Sequence, residues 1–312
     1  MKFLFSIIFI QLIFLFSYDI GRAEPDISAN NAVLIEQETG EVLYEKEAFD
    51  ERSIASITKI MTALLAIESG KLEETVTVSR NAIYTEGSSI YLEQGEKMKL
   101  GDLVYGLMLR SGNDAAVAIA EHIGESEEGF VFLMNEKARW LGMNHTQFNN
   151  PHGLDHEFHY SSAYDMAILT RAAMQNETYQ KISATKDFKS DQRSYSWQNK
   201  HRLVTGYYQY ATGGKTGFTK RTGRTLVTTA EKDGQTLIAV TLNGPNDWND
   251  HINLFEWGFE ESQAKDMLNE VESDVMLPAK KMSRQRRVLS ENKDIFSEMT
   301  ELFREVVGLR LW

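Results

Sequence analysis

Strand-like texture flanks a long helical stretch, upstream at residues 31–48 and downstream from about residue 183. "NAVLIEQETGEVLYEKEA" alternates Val33 and Ile35 with Leu34 and Glu36, and Val42 and Tyr44 answer them. Thr39-Gly40 supplies the turn of a hairpin. Far downstream, "RTLVTTAEKDGQTLIAVTLNG" reads as two more strands joined at Lys232-Asp233-Gly234, within a region that turns to β texture from about residue 183. A helix is expected from about Ser56 to Glu68, stopped by Gly70. "LGDLVYGLMLRSGNDAAVAIAEHIGE" carries two apolar helical patterns broken at Ser111-Gly112-Asn113. "GFVFLMNEKARWLGM" and "SSAYDMAILTRAAMQ" add two more, the latter with Ser161 or Ser162 as cap. "HINLFEWGFE" resumes helix. A sheet built from both flanks must therefore close around an inserted helical part. The order predicts a mixed sheet-and-helix domain over residues 24–262, with an all-helical subdomain nested at about 72–182.

The ends of the chain have a different texture. Lys2, the apolar run Phe3–Phe16 and Gly21-Arg22-Ala23 predict a secretory signal over residues 1–23. The exported location follows: the outer face of the cytoplasmic membrane or the extracellular space. The chain has no cysteine, which excludes a disulfide framework and a cysteine-based metal site. Its formal net charge of −12 repels polyanions, so nucleic acid is not expected as a partner. In the segment 263–312, Lys280, Lys281, Arg284, Arg286 and Arg287 precede a helical pattern with Phe296, Met299, Leu302, Phe303, Val306 and Val307 on one face, ending at Trp312. That combination suits an anionic membrane surface, although Glu298, Glu301 and Glu305 weaken the attraction. Packing on the catalytic body or dimerisation would use the same face.

The first helix carries the chemistry. In "SIASITKIMTALLAIESG", Ser56 and Lys59 are three residues apart and so share a helix face. A serine hydroxyl is a poor nucleophile until a base takes its proton. A lysine amine can be that base only if burial, a second cation or a helix N-terminus lowers its pKa. The first turn also offers the backbone N–H of Ser56 to an oxyanion. Alone, S-x-x-K recurs by chance. Here it is followed by Ser111-Gly112-Asn113 and then by Lys215-Thr216-Gly217, with Gly213 and Gly214 just before. S-x-x-K, S-x-N and K-T-G in that order form the signature of penicillin-recognising serine enzymes. The glycines let a substrate backbone lie along the strand edge.

With these motifs, and with "SITKIMTALLAIE", "GSSIYLEQGEKMKLGDLVYGLMLRSGNDAAVAIAEHIG", "LGMNHTQFNNPHGL" and "GGKTGFTKRTGRTLVTTA", the chain resembles serine-type D-alanyl-D-alanine carboxypeptidases, the low-molecular-mass penicillin-binding proteins. The resemblance runs from about Ala32 to Glu260. It implies an α/β (α+β) fold of the β-lactamase/transpeptidase type: an antiparallel sheet flanked by helices, with the helical subdomain beside the cleft. It implies peptidoglycan stem peptides and β-lactam antibiotics as partners, and no cofactor or metal. It gives Ser56 the role of nucleophile, Lys59 that of general base and Ser111 that of proton relay. Asn113 would hold the peptide amide. Lys215 would keep Lys59 neutral and attract the substrate carboxylate, and Thr216 would hydrogen-bond it. Gly217 gives room, and the backbone N–H of Phe218 joins that of Ser56 in the oxyanion hole.

Two departures are visible. "LNGPNDWNDH" lacks the arginine that some relatives carry after the last core strand, for which Arg224 is the substitute or else a surface residue. About fifty residues follow Glu260, where many relatives have a second β-rich domain. A class A β-lactamase shares the motifs but needs a loop glutamate that "GESEEG" and "LDHEFH" do not resemble. A D,D-endopeptidase would use the same site. His152, His156 and His159 read as turn and surface histidines, and Trp140, Trp197 and Trp257 as core.

Overall fold

The computed structural model describes residues 23–265 and residue 267. The signal segment before Ala23 and the tail after residue 267 lie outside the described residues. The chain divides into two compact units, Met1–Phe259 and Glu260–Trp312. Every numbered strand and helix below belongs to the first.

The N-terminal hairpin forms as its alternation predicts: β1 (Asn31–Glu36) pairs antiparallel with β2 (Val42–Lys46). The late strands are β7 (Ala211–Thr219), β8 (Gly223–Lys232) and β9 (Gln235–Leu242). All five join one antiparallel sheet in the order β2-β1-β9-β8-β7. The central pairing joins the two ends of the sequence, with Val33 opposite Val240 and Leu34 opposite Ala239. The strands are apolar on both sides because both faces are covered. Val33, Ile35, Val227, Ile238, Val240 and Leu242 enter one core with the helical part. Leu34, Leu226, Ala230, Leu237 and Ala239 enter a second, with Leu254, Phe255 and Phe259 from a helix beginning at Asp247.

Between the strands lie α1 (Lys59–Glu68), α2 (Arg80–Ile83), α3 (Leu100–Arg110), α4 (Asn113–Gly124), α5 (Glu127–Leu141), α6 (Ala163–Ala173) and α7 (Glu177–Ala184). Two short hairpins accompany them: β3 (Thr75–Thr77) with β4 (Lys97–Lys99), and β5 (Asp187–Phe188) with β6 (Trp197–Gln198). Ser162 is the residue that caps α6, accepting the N–H of Asp165. Helix α1 is buried nearly all round, with Lys59, Ile60, Met61, Thr62, Ala63, Leu64, Ala66 and Ile67 inside. Such a helix runs through a core rather than over it. It starts one turn later than its pattern suggests, because Ala55–Thr58 forms a tighter 3-10 turn that holds Ser56.

Three expectations fail on burial. Trp140 is not core: it is 76% exposed, with the Lys137 ammonium 4.5 Å from its ring centroid. The amphipathic aromatic serves there as a platform for a cation. His152 and His159 are not surface residues: both are buried, and both meet the segment that carries Ser56 and Lys59.

Candidate active site

Residues remote in sequence converge at the start of α1. Ala55 precedes Ser56 with φ +50, a left-handed conformation that a non-glycine residue adopts only at a cost of order 1 kcal/mol. The segment Pro151–Gly153 packs directly behind this turn. Gly153 has φ +87, and a Cβ there would lie 2.0 Å from the Ala55 carbonyl oxygen, so no side chain fits. Thr62 donates to the Pro151 carbonyl at 2.6 Å, and Thr58 donates to Ala55 O at 2.8 Å. His159 shares a hydrogen bond with the Thr58 hydroxyl at 2.8 Å. Burial lowers its pKa to about 4, so the ring is neutral at physiological pH.

Lys59 is fully buried, and its Nζ has three neighbours. Asn113 Oδ1 lies at 2.7 Å, the His152 carbonyl at 2.5 Å and Ser56 Oγ at 3.1 Å. Burial drives its pKa well below the usual lysine range, and the charges of Lys215 and Lys200 push it further down. A neutral amine has two N–H groups and one lone pair. The two carbonyl oxygens can only accept, so they take the two N–H groups. The lone pair is left facing the Ser56 hydroxyl, which donates to it. Burial and the neighbouring cations thus neutralise Lys59, and the contacts orient it as a base.

The opposite wall is built by the break between α3 and α4. Ser111 sits there at φ +66, and its Oγ lies 3.1 Å from the Nζ of Lys215. Asn113 is held from both ends of its amide: Oδ1 by Lys59, and Nδ2 through donation to the Glu86 carbonyl at 2.5 Å. Asp114 is buried beneath it and gathers the neighbouring loop, accepting from Ser89 Oγ at 2.5 Å and from the N–H groups of Ile90 and Leu92 at 3.1 Å.

Strand β7 is the sheet edge that closes the cleft. Lys215 is buried on it and also donates to the Thr216 carbonyl at 2.8 Å. Burial, then the charge of Lys200, lowers its pKa to about 7. Of the two amines, Lys59 gives up its charge first, and Lys215 holds its proton below about pH 7. The Thr216 side chain is half-buried, and its hydroxyl has no hydrogen-bond partner among the described residues. Gly217 packs against the nucleophile's turn, where a Cβ would lie 2.9 Å from the Ser56 nitrogen and 2.3 Å from Thr225 Oγ1. The backbone at 217–218 therefore stands beside the Ser56 N–H because residue 217 has no side chain. Phe218 is exposed and pairs with Arg224 across β7 and β8. The Arg224 guanidinium is bound to Asp247 at 2.9 Å and lies 5.5 Å from the Trp248 ring centroid.

A buried relay of hydrogen bonds supports β7 from behind. His201 Nε2 donates to Val227 O at 3.0 Å and lies 3.2 Å from Thr228 Oγ1; Thr228 bonds His251 Nδ1 at 2.8 Å, and His251 Nε2 bonds Thr241 Oγ1 at 3.0 Å. A Cβ on Gly214 would come 2.7 Å from His201 Nε2, so this glycine lets the ring sit directly under the strand.

Ser56, Lys59, Ser111, Asn113, Lys215, Thr216 and Gly217 thus surround one cleft, with Phe218 at its rim. Sequence reasoning missed the His152 carbonyl, the clamp at Asp114, the contribution of Lys200 and the support from His201. "NPHGL" signalled a turn at 150–154, but a carbonyl's target is not encoded locally. Adjacency to Ser111-Gly112-Asn113 was the one available hint for Asp114.

The geometry defines a serine–lysine site on an α/β fold, and comparison with known proteins agrees. The family model described as D-alanyl-D-alanine carboxypeptidase matches residues 19–246. The D-alanyl-D-alanine carboxypeptidase DacF of Bacillus subtilis is 42% identical over 222 residues, covering 69% of this chain and 57% of that protein. DacC of Escherichia coli, another D-alanyl-D-alanine carboxypeptidase, is 33% identical over 249 residues, covering 75% of this chain and 62% of that one. Among solved structures, a D-alanyl-D-alanine carboxypeptidase of Mycobacterium tuberculosis superposes with TM-score 0.73 at 30% identity, over 78% of this chain and 95% of that one. The Streptomyces K15 DD-transpeptidase superposes with TM-score 0.72 at 30% identity, over 77% and 100%. The chain belongs to the D-alanyl-D-alanine carboxypeptidase family. It spans about three fifths of the length of the curated relatives DacF and DacC.

Proposed function

We propose that this protein is a D,D-carboxypeptidase that removes the terminal D-alanine from peptidoglycan stem pentapeptides through an acyl-enzyme on Ser56, and that penicillins acylate the same serine. The observation that carries the reading is the buried Lys59 amine, with both N–H groups taken by carbonyl oxygens and Ser56 Oγ 3.1 Å away. Lys59 accepts the hydroxyl proton as Ser56 Oγ attacks the carbonyl between the two D-alanines. The oxyanion forms beside the N–H of Ser56 and the backbone of Phe218. One such donor typically lowers the barrier by about 3 kcal/mol. Ser111, whose Oγ lies 3.1 Å from Lys215 Nζ, relays the proton that Lys59 took from Ser56 to the departing amine, which returns Lys59 to its neutral form. The free Thr216 hydroxyl and the Lys215 ammonium take the substrate's terminal carboxylate. Water, deprotonated in turn by the same amine, hydrolyses the ester and restores Ser56.

The test is incubation with a fluorescent penicillin. Wild-type protein becomes covalently labelled and Ser56→Ala does not; labelling of the alanine variant overturns the assignment. Release of D-alanine from a pentapeptide falls by roughly a thousandfold or more in Lys59→Ala, because the activating base is gone. An exported location, supported by the signal pattern of residues 1–23, and a membrane contact through the C-terminal segment, supported by the pattern of residues 280–312, complete the reading. Truncation before Ser290 is expected to keep penicillin binding and lose sedimentation with anionic vesicles. Unchanged sedimentation removes the anchor.

A further inference from the structure

A cavity of about 600 Å³ opens beside the cleft, lined by Gly87 to Tyr91 on one side and by Arg110, Tyr195 to Gln198 and Lys200 on the other. Its charges are one-sided. Arg110 and Lys200 both line it, and no aspartate or glutamate does. Elsewhere among the described residues, Lys99 pairs with Glu73, Lys137 with Glu68, Arg193 with Glu96 and Arg224 with Asp247. Arg110 instead donates to a neutral carbonyl, Gln198 O at 3.2 Å, and Lys200 to a neutral hydroxyl, Ser88 Oγ at 3.4 Å. Neither meets a carboxylate among the described residues. Two unneutralised cations in one recess repel each other, and an anion between them would relieve both.

The cavity shares its walls with the cleft. The Ser88 carbonyl accepts the N–H of Asn113 at 2.7 Å, and the Asn113 side chain donates to Glu86 O at 2.5 Å. The N–H of Lys200 donates to Leu109 O at 3.1 Å, two residues before Ser111. The loop between is fixed rather than loose: the buried Asp114 carboxylate holds Ser89, Ile90 and Leu92. That clamp leaves Tyr91 at φ +60 and 78% exposed on the rim. A left-handed tyrosine is a cost that the wall retains.

We propose that this cavity is a second anion subsite, in which Arg110 and Lys200 bind a carboxylate of the peptide substrate other than its C-terminal one. The inference rests on the function proposed above, in which Lys215 and Thr216 already take the terminal carboxylate. The chemistry required is a peptide with an internal acidic residue whose carboxylate is free. The arginine fork can grip it in two places and the lysine adds a point charge.

The experiment compares two substrates ending in L-Lys-D-Ala-D-Ala. Each is extended by a D-glutamate joined through its γ-carboxyl, with the α-carboxylate free in one and amidated in the other. kcat/KM for D-alanine release at low ionic strength is expected to favour the free acid by about tenfold or more, the effect of one charge-assisted hydrogen bond. Arg110→Glu should invert that preference, and Lys200→Gln should reduce it. A wild-type ratio near one overturns the subsite, as does a preference that neither substitution moves. Inhibition by added D-alanine that Arg110→Glu relieves, with a substrate ratio near one, assigns the cavity to the released product and also overturns it. Penicillin labelling of the wild type separates the two readings. Labelled protein with no preference loses only the subsite, whereas unlabelled protein loses the enzymatic reading itself.

Discussion

Lys59 is the residue on which the chemistry turns, and its protonation depends on neighbours that no local window contains. Its amine is buried by α1 and by the segment 150–153, and the charge of Lys215 across the cleft opposes its protonation to an ammonium. The consequence is a pH dependence set by the other lysine. Lys215 titrates at about 7, so above that pH it loses the charge proposed to attract the substrate carboxylate. kcat/KM for a peptide with a free C-terminal carboxylate is expected to decline as pH rises through 7 to 9. The decline should appear mainly in KM, because Lys59 is already neutral. A flat profile across that range, measured by D-alanine release, contradicts the assignment of charge to Lys215. At this scale the sequence showed the partners but not their acidity. Ser56 and Lys59 were legible from an i, i+3 spacing, whereas the carbonyl of His152, which helps orient the amine, has no signature at all.

At the scale of elements, the site depends on how closely β7 approaches the 3-10 turn at Ala55–Thr58. Gly217 permits that approach, and K-T-G marked it in the sequence for the right physical reason. Gly217→Ala places a methyl 2.3 Å from Thr225 Oγ1 and 2.9 Å from the Ser56 nitrogen. Strand or turn must move, and a shift of about 1 Å in oxyanion geometry costs roughly a hundredfold in rate. The acylation rate with penicillin is expected to fall by about that factor, while the far-ultraviolet circular dichroism stays that of the wild type. Near wild-type acylation would show that the backbone at 217–218 does not shape the oxyanion site. Boundaries were read less well than identities. The helical pattern from Ser56 is continuous in sequence, but its first turn winds tighter because Ala55 enters it left-handed and Gly153 presses on it from behind.

For the whole molecule, neutral groups buried on both sides of the sheet make stability depend on pH. Burial lowers the pKa of His152 to about 3, and that of His159 and His201 to about 4. Their ordinary value is 6.5. Between these values the unfolded chain binds protons that the native chain refuses, so stability is present above pH 6.5 and is lost as pH falls towards 4. Each such histidine contributes a slope of up to about 1.4 kcal/mol per pH unit in that window. The midpoint of urea unfolding is therefore expected to drop steadily from pH 6.5 to 4. His159→Gln, which retains polar atoms without titrating, should flatten part of the slope; an unchanged slope refutes its role. The reading of His152 and His159 as surface residues failed because burial is a property of the assembled molecule.

The sequence alone determined the strands of the main sheet's two hairpins and the long helices between them, and which three motifs carry the functional groups and in what order. Those properties depend on periodicity and on residue type, and both are local. The sequence reading missed the short β3–β4 hairpin, which lies inside the part expected to be all-helical, and the β5–β6 hairpin. Only the tertiary structure decided how deeply the two lysines are buried, that carbonyl oxygens rather than carboxylates meet the first of them, and that Arg110 and Lys200 face a cavity with no acid. The reason is physical: an amine's charge depends on the water and the charges around it, and folding brings those from distant parts of the chain.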